Sequence, residues 1–138
     1  MTYPNDPLAD GGIAVFAENL RAGRTTICKV TSAYLDRIES LDAKLGAFQY
    51  VAKEQAMAAA EAMDKLLASG TDLGPLMGVP IGIKDIYAVD QMPTTNGSLF
   101  DASGITGNEG RFVTGLTKAG CIILGKTKTV EFTLGTSF

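Results

Sequence analysis

Glycines and prolines concentrate in the second half of this 138-residue chain and limit the regular structure that can form there. Seven of the 16 glycines and three of the five prolines lie between Gly74 and Gly110. These residues favour turns and close backbone approaches over long helices. The first part of the chain carries apolar residues at helical spacing instead. The sequence therefore predicts a helical region, 1–70, and a glycine-rich α/β segment, 71–138, within one domain.

Hydrophobic periodicity and capping signals predict four helices and three short strands. The helices are expected over residues 11–21, from a cap at Thr25 or Thr26 to about residue 41, over 53–68 and over 109–119. The strands are expected over residues 47–51, 79–89 and 121–124. Helices that alternate with short apolar strands indicate an α/β fold, with a mixed sheet flanked by helices.

Three of these helices carry apolar stripes that are expected to pack against the core. In the helix that begins at Thr25 or Thr26 the stripe consists of Ile27, Val30, Tyr34, Leu35, Ile38 and Leu41. In the 53–68 helix the stripe consists of Ala56, Ala60, Met63 and Leu67. In the 109–119 helix it consists of Phe112, Val113, Leu116 and Ala119. We interpret the Met and Ala stripe of the 53–68 helix as a packing face rather than as a cofactor surface.

The chain contains no histidine, which excludes several common active sites. Its own residues cannot supply a Ser-His-Asp triad, a Cys-His pair or a two-histidine zinc helix. A general base must then be a carboxylate, a lysine, a tyrosine or a cysteine, and no metal or cofactor is expected. The net charge of −3 argues against direct binding of nucleic acid, which needs clustered lysine and arginine.

The cysteines and the chain ends bear on location and completeness. Cys28 and Cys121 lack zinc or CxxC spacing and are expected to be free thiols in a reducing compartment. The first residues do not form a signal peptide, and no apolar stretch approaches the ~20 residues that span a bilayer. We expect a cytoplasmic protein that does not bind membranes. The apolar run at 130–138 lacks a polar closing segment, which indicates part of a longer chain and an incomplete domain.

Residues 120–127, GCIILGKT, match the G-x-x-x-x-G-K-[ST] pattern of a phosphate-binding loop. Such a loop needs small, flexible residues that turn successive backbone N–H groups toward phosphate oxygens. The variable positions here are Cys, Ile, Ile and Leu, which favour a buried strand. We prefer a helix stop, a core strand and a turn, and keep nucleotide binding as the weaker alternative.

Lys84 is the strongest candidate for a general base. Strand alternation places it on one face with Gly82, which is expected to leave room beside the amine. If Lys84 lay among apolar neighbours, its charged form would be disfavoured and the amine could accept a proton near neutral pH. The alternative from the residues alone is a solvated lysine, or one paired with Asp85 or Asp90.

Four blocks resemble the amino-terminal third of an amidase signature enzyme in order and spacing. They are residues 74–85 (GPLMGVPIGIKD), 93–98 (PTTNGS), 119–127 (AGCIILGKT) and 131–132 (EF). The resemblance implies hydrolysis of carboxylic amides through a Ser, cis-Ser, Lys triad, with Lys84 as the lysine. It also implies that both serines lie in a Gly-Ser-rich segment downstream of the last block, so the isolated chain is expected to be inactive.

The resemblance assigns supporting rather than catalytic roles to the other motif residues. Asp85 is expected to anchor local backbone, and Thr94, Thr95 and Ser98 to form the turn of a loop. The resemblance implies that the substrate is a small-molecule amide, and it does not specify which one. It is also compatible with oligomerisation. The alternatives from other classes are a folded, non-catalytic interaction module and the nucleotide binder described above.

Overall fold

The computed structural model describes residues 6–135, which form four helices and three strands. In chain order these are α1 (Gly12–Arg21), α2 (Ile27–Leu45), β1 (Phe48–Val51), α3 (Lys53–Ala68), β2 (Pro80–Lys84), α4 (Arg111–Lys118) and β3 (Ile122–Thr127). A short 3-10 turn follows at Glu131–Thr133. Within this part of the chain no helix is long and apolar enough to cross a membrane.

The three strands form one mixed sheet with β3 in the centre. β1 pairs with β3 antiparallel, and β2 pairs with β3 parallel. Gly125 permits the close approach of β1, since a Cβ atom there would lie 2.1 Å from the Tyr50 carbonyl oxygen. Its φ of +154° also disfavours other residues. The predicted α/β class with a mixed sheet and flanking helices is therefore confirmed.

Helices α2 and α3 pack on each other and on the sheet, and their buried faces follow the predicted periodicity. Ala56 and Ala60 of α3 are fully buried, and Met63 and Leu67 are half-buried against the same core. The core also includes Ile122 and Leu124 of β3. This core cluster thus contains residues from both the helical region and the glycine-rich segment.

The start of α2 shows why this helix begins where the sequence predicts. Thr26 caps it, with the hydroxyl accepting a hydrogen bond from the Lys29 N–H. Asp64 of α3 accepts two more bonds, from the N–H groups of Ile27 at 2.8 Å and Cys28 at 3.0 Å. Three of the unpaired donors at the helix start are thereby satisfied.

The predicted strand over 79–89 is too long, because the structure ends β2 at Lys84. The Lys84 carbonyl accepts hydrogen bonds from the N–H groups of both Ile86 and Tyr87, which closes a turn. The strand predicted over 121–124 is too short instead, since the observed β3 continues to Thr127.

The last predicted helix is also shorter, spanning Arg111–Lys118, and one inward assignment is wrong. Val113 is buried, but Phe112 is 58% exposed. The ring of Phe112 packs on Tyr87, with 5.1 Å between the ring centroids. Its position beside Val113 on a short helix places it outside the buried stripe.

Candidate active site

Lys84 lies at the carboxyl end of β2, beside the parallel strand β3. In α/β sheets, ligand sites gather at the carboxyl ends of parallel strands. The expectation of apolar surroundings is wrong for the described residues, because the Lys84 side chain is exposed. The reason is its place as the last residue of an edge strand. No hydrogen bond or ion pair of its amine occurs within residues 6–135.

Gly82 serves a different purpose from the one expected. A Cβ atom at this position would lie 2.7 Å from the Thr127 methyl carbon and 3.7 Å from the Phe48 ring. The missing side chain therefore accommodates β1 and β3 rather than the Lys84 amine. Gly82 and Phe48 also line a groove of about 300 Å³ between α2 and the sheet.

Asp85 follows Lys84 directly but points into the interior, as expected for adjacent residues of an extended chain. It is fully buried and forms an ion pair with Lys126, also fully buried, with 3.0 Å between Oδ1 and Nζ. The Asp85 N–H donates to the Thr127 carbonyl, and the Asp85 carbonyl accepts from the Asn96 N–H. Asp85 thus links β2 to β3 and to the loop at 92–98.

Thr94 and Thr95 bring this loop onto the ion pair. The Thr95 hydroxyl and N–H both donate to the Asp85 carboxylate. The Thr94 hydroxyl accepts a 2.6 Å hydrogen bond from Lys126 Nζ, which also donates to the Pro93 carbonyl at 3.0 Å. Both threonines bind side chains of the site, and neither is a free hydroxyl.

The loop then reverses at Asn96 and Gly97, which have φ values of +56° and +68°. Both values fit the turn chemistry of an Asn-Gly pair. A Cβ atom at Gly97 would lie 2.5 Å from the Thr129 carbonyl oxygen. Ser98 donates to Glu131 at 2.7 Å and accepts from the Phe100 N–H. These contacts tie the loop to the segment that follows β3.

The structure contradicts the phosphate-loop alternative. Residues 122–127 form the central strand, so their N–H groups face neighbouring strands rather than a shared anion. Lys126 is fully buried and bound to protein oxygen atoms. A phosphate could reach this ammonium group only if the ion pair separated.

Lys126 is the site residue that sequence reasoning misses. Its only signal is a lysine two positions after the apolar run at 121–124, where a buried strand leaves little access to water. Its partner Asp85 lies in a different block, and the sequence alone does not pair the two. As for metals, no cluster of three or more potential protein ligands occurs in residues 6–135.

Comparisons with known proteins show the family to which the chain belongs. A family model described as Amidase matches residues 29–138. The chain is 40% identical over 124 residues to a glutamyl-tRNA(Gln) amidotransferase subunit from Streptomyces coelicolor (90% of this chain, 25% of that protein). It is 44% identical over 109 residues to the subunit of the same name from Acidothermus cellulolyticus (79% and 22%).

Among solved structures, the native peptide amidase from Stenotrophomonas maltophilia superposes with a TM-score of 0.85 at 31% identity. That match covers 93% of this chain and 26% of the peptide amidase. The chain therefore spans about a quarter of the length of these relatives. The resemblance inferred from the four sequence blocks is confirmed, and the chain belongs to the amidase signature family.

Proposed function

We propose that this chain is the lysine-bearing part of an amidase signature hydrolase that cleaves carboxylic amide bonds. The main support is the position of Lys84. It is an exposed lysine at the carboxyl end of a parallel strand, while the adjacent carboxylate of Asp85 is already paired in the interior. Sequence outside these 138 residues would then supply both serines and cover Lys84.

In this proposal the Lys84 amine takes a proton, by way of a bridging serine, from the nucleophilic serine. The serine oxygen attacks the amide carbonyl, and backbone N–H groups hold the resulting oxyanion. Ammonia or an amine leaves with the proton, and water then hydrolyses the acyl ester to release the acid. A lysine base replaces histidine in this scheme, which suits a chain that contains none.

The names of the relatives guide the class of substrate that we propose. The two relatives described above, at 40% and 44% identity, are named as amidotransferase subunits, and the similar solved structures include a peptide amidase. A primary carboxamide is the simplest amide that could serve either kind of reaction. We propose a primary carboxamide as substrate, a cytoplasmic location and no direct contact of this chain with nucleic acid.

The test begins with the reading frame that contains this chain. We expect the frame to encode a Gly-Ser-rich segment, and the complete polypeptide to release ammonia from at least one of acetamide, a peptide carboxamide and glutamine. An aryl acylamide serves as the secondary-amide comparison. The isolated 138-residue chain should release none.

Two outcomes would contradict the proposal. One is a reading frame without a downstream serine pair. The other is a folded complete polypeptide that hydrolyses none of these amides, which would favour the non-catalytic interaction module. Amide hydrolysis by the isolated 138-residue chain would refute the proposal that both serines lie outside these residues.

A further inference from the structure

Lys126 and Asp85 form a buried ion pair whose bonding capacity is fully used. The ammonium group has three N–H donors, and it has three acceptors within bonding distance. They are Asp85 Oδ1 at 3.0 Å, the Pro93 carbonyl at 3.0 Å and the Thr94 hydroxyl at 2.6 Å. The Asp85 carboxylate accepts further bonds from Thr95. Such complete satisfaction indicates a fixed geometry rather than a mobile surface contact.

The pair joins three segments at the point where Lys84 leaves the sheet. Asp85 follows β2, Lys126 lies near the end of β3, and both bind the loop at 92–98. The Lys84 carbonyl is held on the other side by the N–H groups of Ile86 and Tyr87. The backbone beside Lys84 is thus held from both directions.

Stability alone does not explain a pair of this kind. Moving two charges out of water costs several kcal/mol per ion, and apolar replacements of similar volume are often as stable. The pair does fix the position of the Asp85 carboxylate, which lies in the interior while the adjacent Lys84 side chain is exposed. Asp85 is the carboxylate nearest to Lys84 in the sequence, and an unpaired Asp85 could turn outward and bind the Lys84 ammonium. An amine held by Asp85 could no longer reach a serine hydroxyl.

We propose that Lys126 is a positioning residue for Lys84. It keeps the Asp85 carboxylate in the interior and fixes the loop at 92–98 against the ends of β2 and β3. This inference rests on the proposed function, because it assigns Lys84 the role of base. Lys126 does not touch the reacting atoms and acts only through Asp85 and the loop.

The test compares Lys126→Met with Lys128→Met, a matched change of an exposed lysine two residues further on. In the 138-residue chain, we expect Lys126→Met to speed hydrogen exchange of the Thr95 and Asn96 amides at least tenfold, and Lys128→Met to leave it unchanged. In the complete polypeptide, we expect Lys126→Met to lower kcat per titrated active site at least tenfold, with KM within twofold.

A merely structural role gives a different result. If Lys126 had only a structural role, Lys126→Met would reduce the number of titratable active sites. The kcat per site and the exchange of the Thr95 and Asn96 amides would then stay at wild-type values, and that result would overturn the proposal. If Lys126→Met does not fold, Asp85→Asn/Lys126→Met removes both charges together. We expect this double variant to fold, with the same faster exchange of the two amides because the loop is released. We expect its kcat per site to fall less than tenfold, because no carboxylate remains at position 85 to bind Lys84, and wild-type values for both measurements would overturn the proposal.

Lys84→Met, measured in parallel, separates this inference from the proposed function. If Lys84→Met loses turnover while Lys126→Met keeps its kcat per site and its amide protection, only the positioning role fails. If Lys84→Met keeps turnover, the proposed function fails and the positioning role fails with it.

Discussion

Lys84 and Asp85 are adjacent in the sequence and occupy opposite environments. The extended backbone turns the lysine outward and the carboxylate inward, where Lys126 neutralises it. The same principle operates at other single residues. Cys28 is half-buried beside Asp64, and Cys121 is buried in the core. At this scale, burial and the nearest charged partner determine which groups can react.

Cys28 provides a pH-dependent test of its surroundings. Burial, together with the hydrogen bond to Asp64, raises the pKa of the Cys28 thiol to about 11. The thiol therefore stays protonated at pH 8, and only the thiolate reacts with iodoacetamide. We expect alkylation of Cys28 in the native chain to rise with a midpoint near pH 11, as measured by peptide mass spectrometry.

The urea-unfolded chain is the control for this measurement, and its Cys28 should react with a midpoint near the ordinary value of 9.0. The upward shift of the Cys28 pKa on folding also has a consequence for stability. Because the pKa of Cys28 is raised on folding, its contribution to stability is complete below pH 9 and declines as the pH rises toward 11. Equal alkylation midpoints in the native and unfolded chains would contradict the described environment.

At the scale of elements, the helices begin and end where local chemistry requires. Thr26 caps α2, and Gly46 ends it in the left-handed conformation with φ of +59°. Asp64 adds a contact from α3 that local sequence does not reveal. The start of α2 is therefore fixed partly by its own cap and partly by a neighbouring helix.

We expect Asp64→Ala to lower the free energy of unfolding by about 1–3 kcal/mol, because two helix N–H groups near the interior lose their acceptor. Thr26→Ala removes one exposed cap and should cost about 1 kcal/mol. Urea denaturation of the chain measures both values. Asp36→Ala, on the exposed face of α2, serves as control and should stay within about 0.5 kcal/mol of wild type. An equal effect of Asp64→Ala and Asp36→Ala would show that the cap contributes nothing.

The elements also show how far sequence reasoning reaches. Helical periodicity predicts α3 over the same residues as the structure, because its buried stripe and its stop at Ser69 are local signals. The end of β2 has no comparable local signal: the strand stops at Lys84, and the next residue, Asp85, binds Thr95 and Lys126, one loop and one strand away. The inward assignment of Phe112 is wrong because its contact with Tyr87 is likewise remote.

The same distinction between local signals and remote contacts applies to the candidate site. Lys84 can be found from strand alternation and from the family motif, which are both visible in the sequence. Its exposure and the burial of Lys126 depend on strand order, since β2 is an edge strand and β3 is central. Residue types show which groups can act as a base. The order of the strands determines which of them water reaches.

At the scale of the whole molecule, one core connects both halves of the chain. Phe16, Ile27 and Ala60 from the helical region pack in the same cluster as Val79 and Leu124. The strand β1 also reaches across to pair with β3. These contacts imply that neither half is independent of the other.

We therefore expect the 138-residue chain to unfold in a single transition. Far-ultraviolet circular dichroism follows the helices, and tyrosine fluorescence follows tertiary packing, since the chain has four tyrosines and no tryptophan. The two thermal curves should coincide. Non-coincident curves, with helical signal lost at a different temperature from packing, would show two separately stable regions or a loosely packed state.

The turnover of Lys84→Met in the complete polypeptide tests the central claim most directly. Lys118→Met, at the exposed end of α4, is the matched control. With both variants melting within a few degrees of wild type, we expect Lys84→Met to lower kcat for amide hydrolysis at least ~100-fold, and Lys118→Met to leave it unchanged. A Lys84→Met variant that hydrolyses the amide at the wild-type rate would contradict the assignment of Lys84 as the base.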